Sequence, residues 1–267
     1  MSAQGSLISG NTLITGASIG IGAELAREFA ARGENLILVA RSEDKLNTLK
    51  SDLESAHSVK VTTIAMDLAV PGAAAELVAR VAALGLTIDV LVNNAGVGTY
   101  GRFTEIDATD DARMLQLNMV FLTELTRLVA VDMKRRRRGR ILNVASTAAF
   151  QPGPMMATYY ATKAYVLSLS EALASELADD GITVTAVCPG PTLSGFQAQA
   201  KMEGARMLKL LPMTSAQVAR QAVRALERGS AVKITGLVNN LLAQSVRVTP
   251  RWLVTRLSRF FAARATA

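Results

Sequence analysis

Residues 12–22 read TLITGASIGIG: an apolar β-type run breaks at Gly16, Gly20 and Gly22 and re-forms as the helical pattern IGAELAREFAARG. Two chemistries share this spelling. Gly16-Ala17-Ser18-Ile19-Gly20 is a literal G-x-S-x-G, the strained strand-to-helix turn that exposes a serine nucleophile in some hydrolases. The same glycines, set between a strand and a helix N-terminus, also suit a cradle where backbone N–H groups meet a phosphate. A serine nucleophile needs a base, normally histidine. The only histidine is His57, in the polar turn ESAHSVK between the second helix and the third strand, whereas hydrolases of this topology place theirs late in the chain. Ser18 therefore lacks its base, and the cradle is the better reading.

Working outward, apolar runs recur at 11–15, 35–40, 59–65, 88–92, 139–145, 182–187 and 231–235, with helical patterns at 20–32, 43–55, 72–84, 109–136, 157–179 and 214–228. Strands such as NLILVA are apolar on both faces, as strands buried between two helical layers must be. The expected fold is α/β: a Rossmann-type, doubly wound, parallel seven-stranded sheet in three α/β/α layers, with ligands at the carboxyl ends of the strands. Residues 1–236 are expected to form the catalytic and cofactor-binding core, and 237–267 a basic extension.

Half of the 267 residues are hydrophobic, enough for a large core. The single cysteine, Cys188, excludes an intramolecular disulfide and a multi-thiolate metal site, and fits a reducing cytoplasm. No secretion signal or uninterrupted apolar span is evident. The net charge of +7 concentrates in two places. KRRRRGR (134–140) closes a helical pattern and reads as a solvated C-terminal turn, where cations are favoured; without interleaved aromatics it gives no expectation of nucleic-acid binding. The stretch 237–267 holds five arginines and no acid.

The motifs TGASIGIG, NNAG (93–96), Asn118, Ser146, Tyr159 with Lys163, and PGPTLS (189–194) occur in one order. In that ordered set, from about residue 9 to 236, the sequence resembles the compact single-domain branch of the short-chain dehydrogenase/reductase family. The resemblance implies an NADP(H)-dependent oxidoreductase interconverting a carbonyl and a secondary alcohol, assembled as a homodimer or homotetramer. It assigns Asn118, Ser146, Tyr159 and Lys163 to catalysis. It assigns Gly16, Ser18, Ile19, Gly20, Ile21 and Gly22 to the cofactor phosphates, Asp67 and Leu68 to the adenine, and Asn94, Ala95 and Gly96 to the ribose region. Pro189, Gly190, Thr192 and Ser194 face the nicotinamide, and Tyr159 and Lys163 also touch the cofactor. Asn118 is implied to hold a water linking Lys163 to solvent. Alternatives are a non-catalytic NADP(H)-sensing regulator, which has no need of the proton-transfer set, and a dehydratase or epimerase, for which the chain lacks a clear second lobe.

The residues speak to the same chemistry. At the end of the second strand, where an acidic side chain would accept the free 2′-hydroxyl of NAD, the chain has Ala40 followed by Arg41, which suits a 2′-phosphate. Ile19 stands where NADP-using relatives often carry a second cation. Tyr159 and Lys163, four apart, share a helix face, so an ammonium can favour the phenolate. Tyr160, three residues from Lys163, is a rival; the family's spacing from Ser146 selects Tyr159.

For the substrate, 190–213 is an expected cover segment whose Leu193, Phe196, Met202, Met207, Leu208, Leu210, Leu211 and Met213 suggest an apolar pocket for a hydrophobic ketone, acyl-chain carbonyl or secondary alcohol, rather than a sugar. In the tail, Thr249-Pro250 looks like a helix start. Leu253, Leu257, Phe260 and Phe261 fall at helical spacing, with Arg251, Arg256, Arg259 and Arg264 mostly elsewhere. Packing on the core, packing on a neighbouring subunit, and peripheral contact with an anionic membrane are the three expectations for this helix.

Overall fold

In the computed structural model, which describes residues 10–196, 200 and 212–263, the opening apolar run is the interior strand β1 (Asn11–Thr15), and the glycine turn delivers the chain into helix α1 (Gly20–Ala30). Strand and helix then alternate through β2 (Asn35–Ala40), α2 (Glu43–Ala56), β3 (Val61–Ala65), α3 (Ala73–Ala83) and β4 (Val90–Asn93). Helix α4 (Ala108–Leu115) passes through a π-helical turn (Gln116–Phe121) into α5 (Leu122–Arg136). Strand β5 (Gly139–Val144), α6 (Ala157–Glu176) and β6 (Ile182–Cys188) follow. A two-residue strand β7 (Thr192–Leu193) pairs with β8 (Met213–Thr214), leading to α7 (Ser215–Glu227) and β9 (Val232–Ile234). Helices α8 (Leu237–Ser245) and α9 (Arg251–Ala262) complete the described chain.

The main sheet has seven parallel strands in the order β3-β2-β1-β4-β5-β6-β9, the doubly wound arrangement expected from the alternation. Pleating divides its apolar residues. Ile14, Leu36, Leu38, Val92 and Leu142 pack with α1, α2 and α7, while Leu13, Ile37, Val39, Leu91 and Ile141 pack with α3 and α5. Both faces are covered, which is why the strands read as unbroken apolar runs. Connections leave β1 and β4 in opposite directions, so their carboxyl ends open a crevice at the topological switch point.

Some element ends move inward from the sequence expectation. The third strand starts at Val61, because the Val59 N–H turns back to the His57 carbonyl. Helix α6 stops at Glu176, and a 3-10 turn (Ala178–Asp180) closes at Gly181 with φ of 75°. Ala108–Arg136 forms a continuous 29-residue helix, long and apolar enough to cross a membrane; half of its most apolar stretch is buried in this domain. The basic run is more engaged than a solvated turn. Arg136 pairs with the buried Asp89 (2.6 Å) and with Asp132 (2.9 Å), Lys134 with Asp180 (3.0 Å), and Arg135 with Asp132 (2.9 Å). Arg137 and Arg138 face Asp180 and Asp89. These cations serve the joint between α5, β5 and the turn after α6.

Candidate active site

The β1–α1 turn is built for close approach. Gly16 has φ of 68°, and a Cβ there would lie 2.9 Å from Ala95 Cα and from Asn94 Nδ2. A Cβ on Gly22 would collide with the Gly16 carbonyl and lie 2.5 Å from Asn94 Nδ2. Glycine lets α1 sit directly on the turn. Ile19, at the N-cap, supplies no capping hydrogen bond, and the first turn carries no acid, so the start of α1 faces the crevice uncapped by its own residues. Asn94 clamps this turn to β4: its Nδ2 donates to the Thr15 carbonyl (2.9 Å) and the Gly16 carbonyl (3.1 Å), and its N–H to Thr15 Oγ1 (3.1 Å). Asn93 points the other way, donating to Asn143 Oδ1 and Thr126 Oγ1 inside the domain.

At the next strand end, Ala40 is small and buried, and the first residue beyond it, Arg41, is cationic. Arg41, Ser42 and Lys45 line the crevice; Glu43 and Asp44 do not. Lys45 is a second cation on the cleft wall, where Ile19 supplies none. It lies four residues after Arg41 on the first turn of α2, a spacing visible in the sequence. Neither cation forms a hydrogen bond or ion pair among the described residues, whereas Arg113 takes the Asp67 carboxylate at 2.6 Å. Burial works against the Asp67 charge, but the hydrogen bonds from Arg113 and the Ala69 N–H outweigh it and hold the carboxyl below its usual range.

The other end of the crevice carries the hydroxyls. Ser146 follows β5 and caps the 3-10 turn Thr147–Phe150: its Oγ accepts from the Ala148 N–H (3.1 Å) and donates to the Pro189 carbonyl (3.4 Å). It also faces the Tyr159 hydroxyl, so capping and facing the tyrosine coexist in one side chain. Burial pushes the Tyr159 phenol well above its ordinary pKa, with the Ser146 hydroxyl opposing. Lys163 is buried, its Nζ 5.8 Å from the Tyr159 ring centroid and donating to the Val144 carbonyl (2.9 Å); burial brings its pKa down to about 8. Tyr160 borders the crevice too, but it is buried against Gly153, where a Cβ would strike its ring, and its hydroxyl faces Gln151.

Asn118 lies close behind the catalytic side chains: a Cβ on Gly96 would be 3.3 Å from its Oδ1 and 3.5 Å from Lys163 Nζ. It sits in the π-helical turn behind the wall, not on it. Its Oδ1 accepts the Val97 N–H (3.1 Å), and its Nδ2 donates to the Val97 carbonyl (2.9 Å) and to Thr162 Oγ1 (3.1 Å). It thus fixes the backbone beside Gly96 and the helix carrying Lys163. A second positioning residue escaped the sequence: Asp111 on α4 accepts from Thr99 Oγ1 (2.9 Å) and from Thr158 Oγ1 (2.7 Å), which immediately precedes Tyr159. Partners 47 residues apart leave no local signal.

All other sequence-predicted residues meet in one cleft of about 310 Å³. The wall begins with Gly16, Ser18, Ile19, Gly20, Ile21 and Gly22, continues through Arg41, Asp67, Leu68 and Asn94–Gly96, and ends with Ser146, Tyr159, Lys163, Pro189, Gly190, Thr192 and Ser194. His57, the hydrolase reading's only base, instead ends α2. Of the expected apolar cover, Met202, Met207, Leu208, Leu210 and Leu211 lie outside the described residues, Leu193 points to solvent and Met213 packs against Asn239, neither lining the cleft, and only Phe196 is in place, its ring 5.3 Å from that of Tyr159.

A family model described as short chain dehydrogenase matches residues 11–204, more than half of the chain. The chain belongs to the short-chain dehydrogenase/reductase family. Members are oxidoreductases acting on CH–OH and C=O groups. Among its relatives, this short-chain dehydrogenase is 39% identical over 179 residues to the very-long-chain 3-oxoacyl-CoA reductase of Pyrenophora tritici-repentis, covering 66% of this chain and 52% of that protein, so the match spans about half of the relative's length. To the rat (Rattus norvegicus) enzyme of the same name it is 31% identical over 246 residues, covering 90% of this chain and 76% of the rat protein. A solved short-chain dehydrogenase from Sphingobium yanoikuyae in complex with NADPH superposes with a TM-score of 0.79 at 33% identity, covering 91% of this chain and 96% of that one.

Proposed function

We propose that this short-chain dehydrogenase reduces the keto group of an apolar, acyl-chain-bearing substrate to a secondary alcohol, with NADPH as cofactor. One observation carries the reading: Ser146 and Tyr159, side by side in the cleft, lie between the glycine turn on one side and an apolar wall of Met156, Phe196 and Tyr100 on the other. NADPH, when bound, supplies the hydride to the carbonyl carbon. The glycine turn and the open α1 N-terminus suit its pyrophosphate, and Arg41 with Lys45 suits its 2′-phosphate.

Ser146 Oγ donates to the substrate oxygen and stabilises the charge that develops there. Tyr159 delivers the proton to that oxygen; its raised pKa keeps the phenol protonated at neutral pH, ready to act as the acid. Lys163 then favours the phenolate left behind, because its ammonium lies beside the ring and remains charged below about pH 8. Asn118 and Asp111 keep the two walls in register. The names of the relatives specify a very-long-chain 3-oxoacyl-CoA, and the similar solved structure holds NADPH; both support the substrate and cofactor reading.

The test follows NADPH consumption over a short ketone, an aromatic ketone, 3-oxoacyl thioesters of rising chain length and a ketose. The expected result is kcat/KM rising with acyl length. Turnover confined to the ketose, or no turnover with any ketone, would overturn the reading.

A further inference from the structure

The tail is assembled inside out. Helix α9 turns Val254, Ser258 and Ala262 toward the domain, while Trp252 (66% exposed), Leu257, Phe260 and Phe261 remain on the surface. The spacing that groups Leu253, Leu257, Phe260 and Phe261 on paper thus does not form the packed face. Helix α8 does the same: Ala243 is buried, and Leu237 (74% exposed), Val238, Leu241 (63% exposed) and Leu242 face outward at i, i+1, i+4 and i+5. A helix that merely docks on a core turns its large apolar residues inward. Here those residues stay exposed on both helices, and exposed apolar groups of this kind mark an interaction surface.

The face is cationic. After Glu227 the chain has no Asp or Glu, and the described part of this stretch carries Arg247, Arg251, Arg256 and Arg259 around the apolar residues. A second copy would meet the patch with itself, because a two-fold contact is isologous, and arginines would face arginines with no carboxylate in the patch to pair them. An anionic bilayer complements both features. Leucines and aromatics enter the headgroup boundary, tryptophan suits that depth, and arginines reach lipid phosphates. At 12 residues, α9 is roughly 18 Å long against a hydrocarbon core of roughly 30 Å, so it lies in the interface instead of spanning it. The helices are held for this: the Tyr100 hydroxyl donates to the Ala262 carbonyl (2.8 Å), and α8 seats Asn239 against Gly190.

We propose that the outward faces of α8 and α9 dock the protein on the surface of an anionic lipid bilayer. Docking depends on this surface alone and stands whichever ketone is reduced.

Flotation of the full chain with vesicles tests it. Phosphatidylcholine vesicles containing phosphatidylglycerol as about a third of the lipid should bind at low salt, and plain phosphatidylcholine vesicles about tenfold less, with high salt weakening binding. Trp252, the single tryptophan, should shift its emission to the blue on binding. Leu241→Glu/Leu242→Glu and Arg256→Glu/Arg259→Glu should each reduce binding by about tenfold or more, with melting temperature and turnover of a water-soluble ketone unchanged. Three results overturn the proposal: no flotation and no spectral shift at low salt, binding unaltered in both variants, or a wild-type dimer that becomes monomeric in the leucine variant, which would assign the face to a second copy.

Discussion

Removing the cations at the start of α2 should separate NADPH from NADH. Arg41 and Lys45 both line the cleft beyond β2, and neither pairs with an acid among the described residues, so each is available to a 2′-phosphate. A hydrogen bond to a charged group contributes about 1.5–3 kcal/mol, and exposure of both side chains places them at the low end. About 1.5 kcal/mol corresponds to about tenfold in Kd. Arg41→Ala and Lys45→Ala should each weaken NADPH by about tenfold, and the double variant by somewhat less than a hundredfold, since both act on one dianion that water re-solvates once a cation is gone. NADH has no 2′-phosphate and should change by no more than about twofold. Titration of cofactor fluorescence at low and physiological salt measures this, with the wild-type NADPH affinity more salt-sensitive than that of the double variant. An equal loss for NADH and NADPH would refute the reasoning, because the cations would then be supporting the fold of the cleft, not reading the phosphate.

Four other outcomes are expected. Tyr159→Phe should lower kcat by about 10²- to 10⁴-fold with little change in melting temperature, whereas Tyr160→Phe should keep turnover and lose stability by about 1 kcal/mol with its Gln151 contact; the reverse pattern would exchange their roles. Burial depresses the Lys163 pKa, so its charge is present below about pH 8 and lost above; kcat for reduction should fall in a single proton step near that pH, and a profile flat through the ordinary lysine range would remove the ammonium from the mechanism. Asn118→Ala should strip both partners from the Val97 backbone, lowering stability by about 1–3 kcal/mol and kcat with it, and unchanged turnover would leave Asn118 without a positioning role. Glu34 is buried, which raises its pKa from 4.5 to about 7. The unfolded chain then gives up this proton first, so stability falls as pH rises across that window, by about 3 kcal/mol. Glu34→Gln should raise the melting temperature above pH 7 and not below 4.5; an equal effect at both would contradict the linkage.

Local pattern revealed much of the architecture because it is physically local. Strands with both faces buried must be apolar throughout, and turns that bring backbone against backbone must be glycine, so β1, β2 and the Gly16–Gly22 turn could be read directly. The residues lining the cleft were legible through their ordered motifs, and parallel winding brings the carboxyl ends of distant strands together. Less legible were side chains whose partner lies far along the chain. Asp111 reaches Thr158, and Arg136 reaches Asp89, through packing that no window contains. The Asn118 side chain turns toward Val97 from a π-helical turn, which an ordinary 3.6-residue pattern does not announce.

The sequence by itself therefore determined the α/β alternation, the glycine cradle, and the pairing of Ala40 with Arg41 at the end of β2, since each depends on residue type at a short spacing. Tertiary structure alone decided that Tyr160 packs on Gly153, and that Lys45 joins Arg41 at the cleft. It also decided that α9 buries Val254, Ser258 and Ala262 while leaving its largest apolar residues outside. Periodicity specifies that a helix has faces; only the surface it lands on selects which face turns inward.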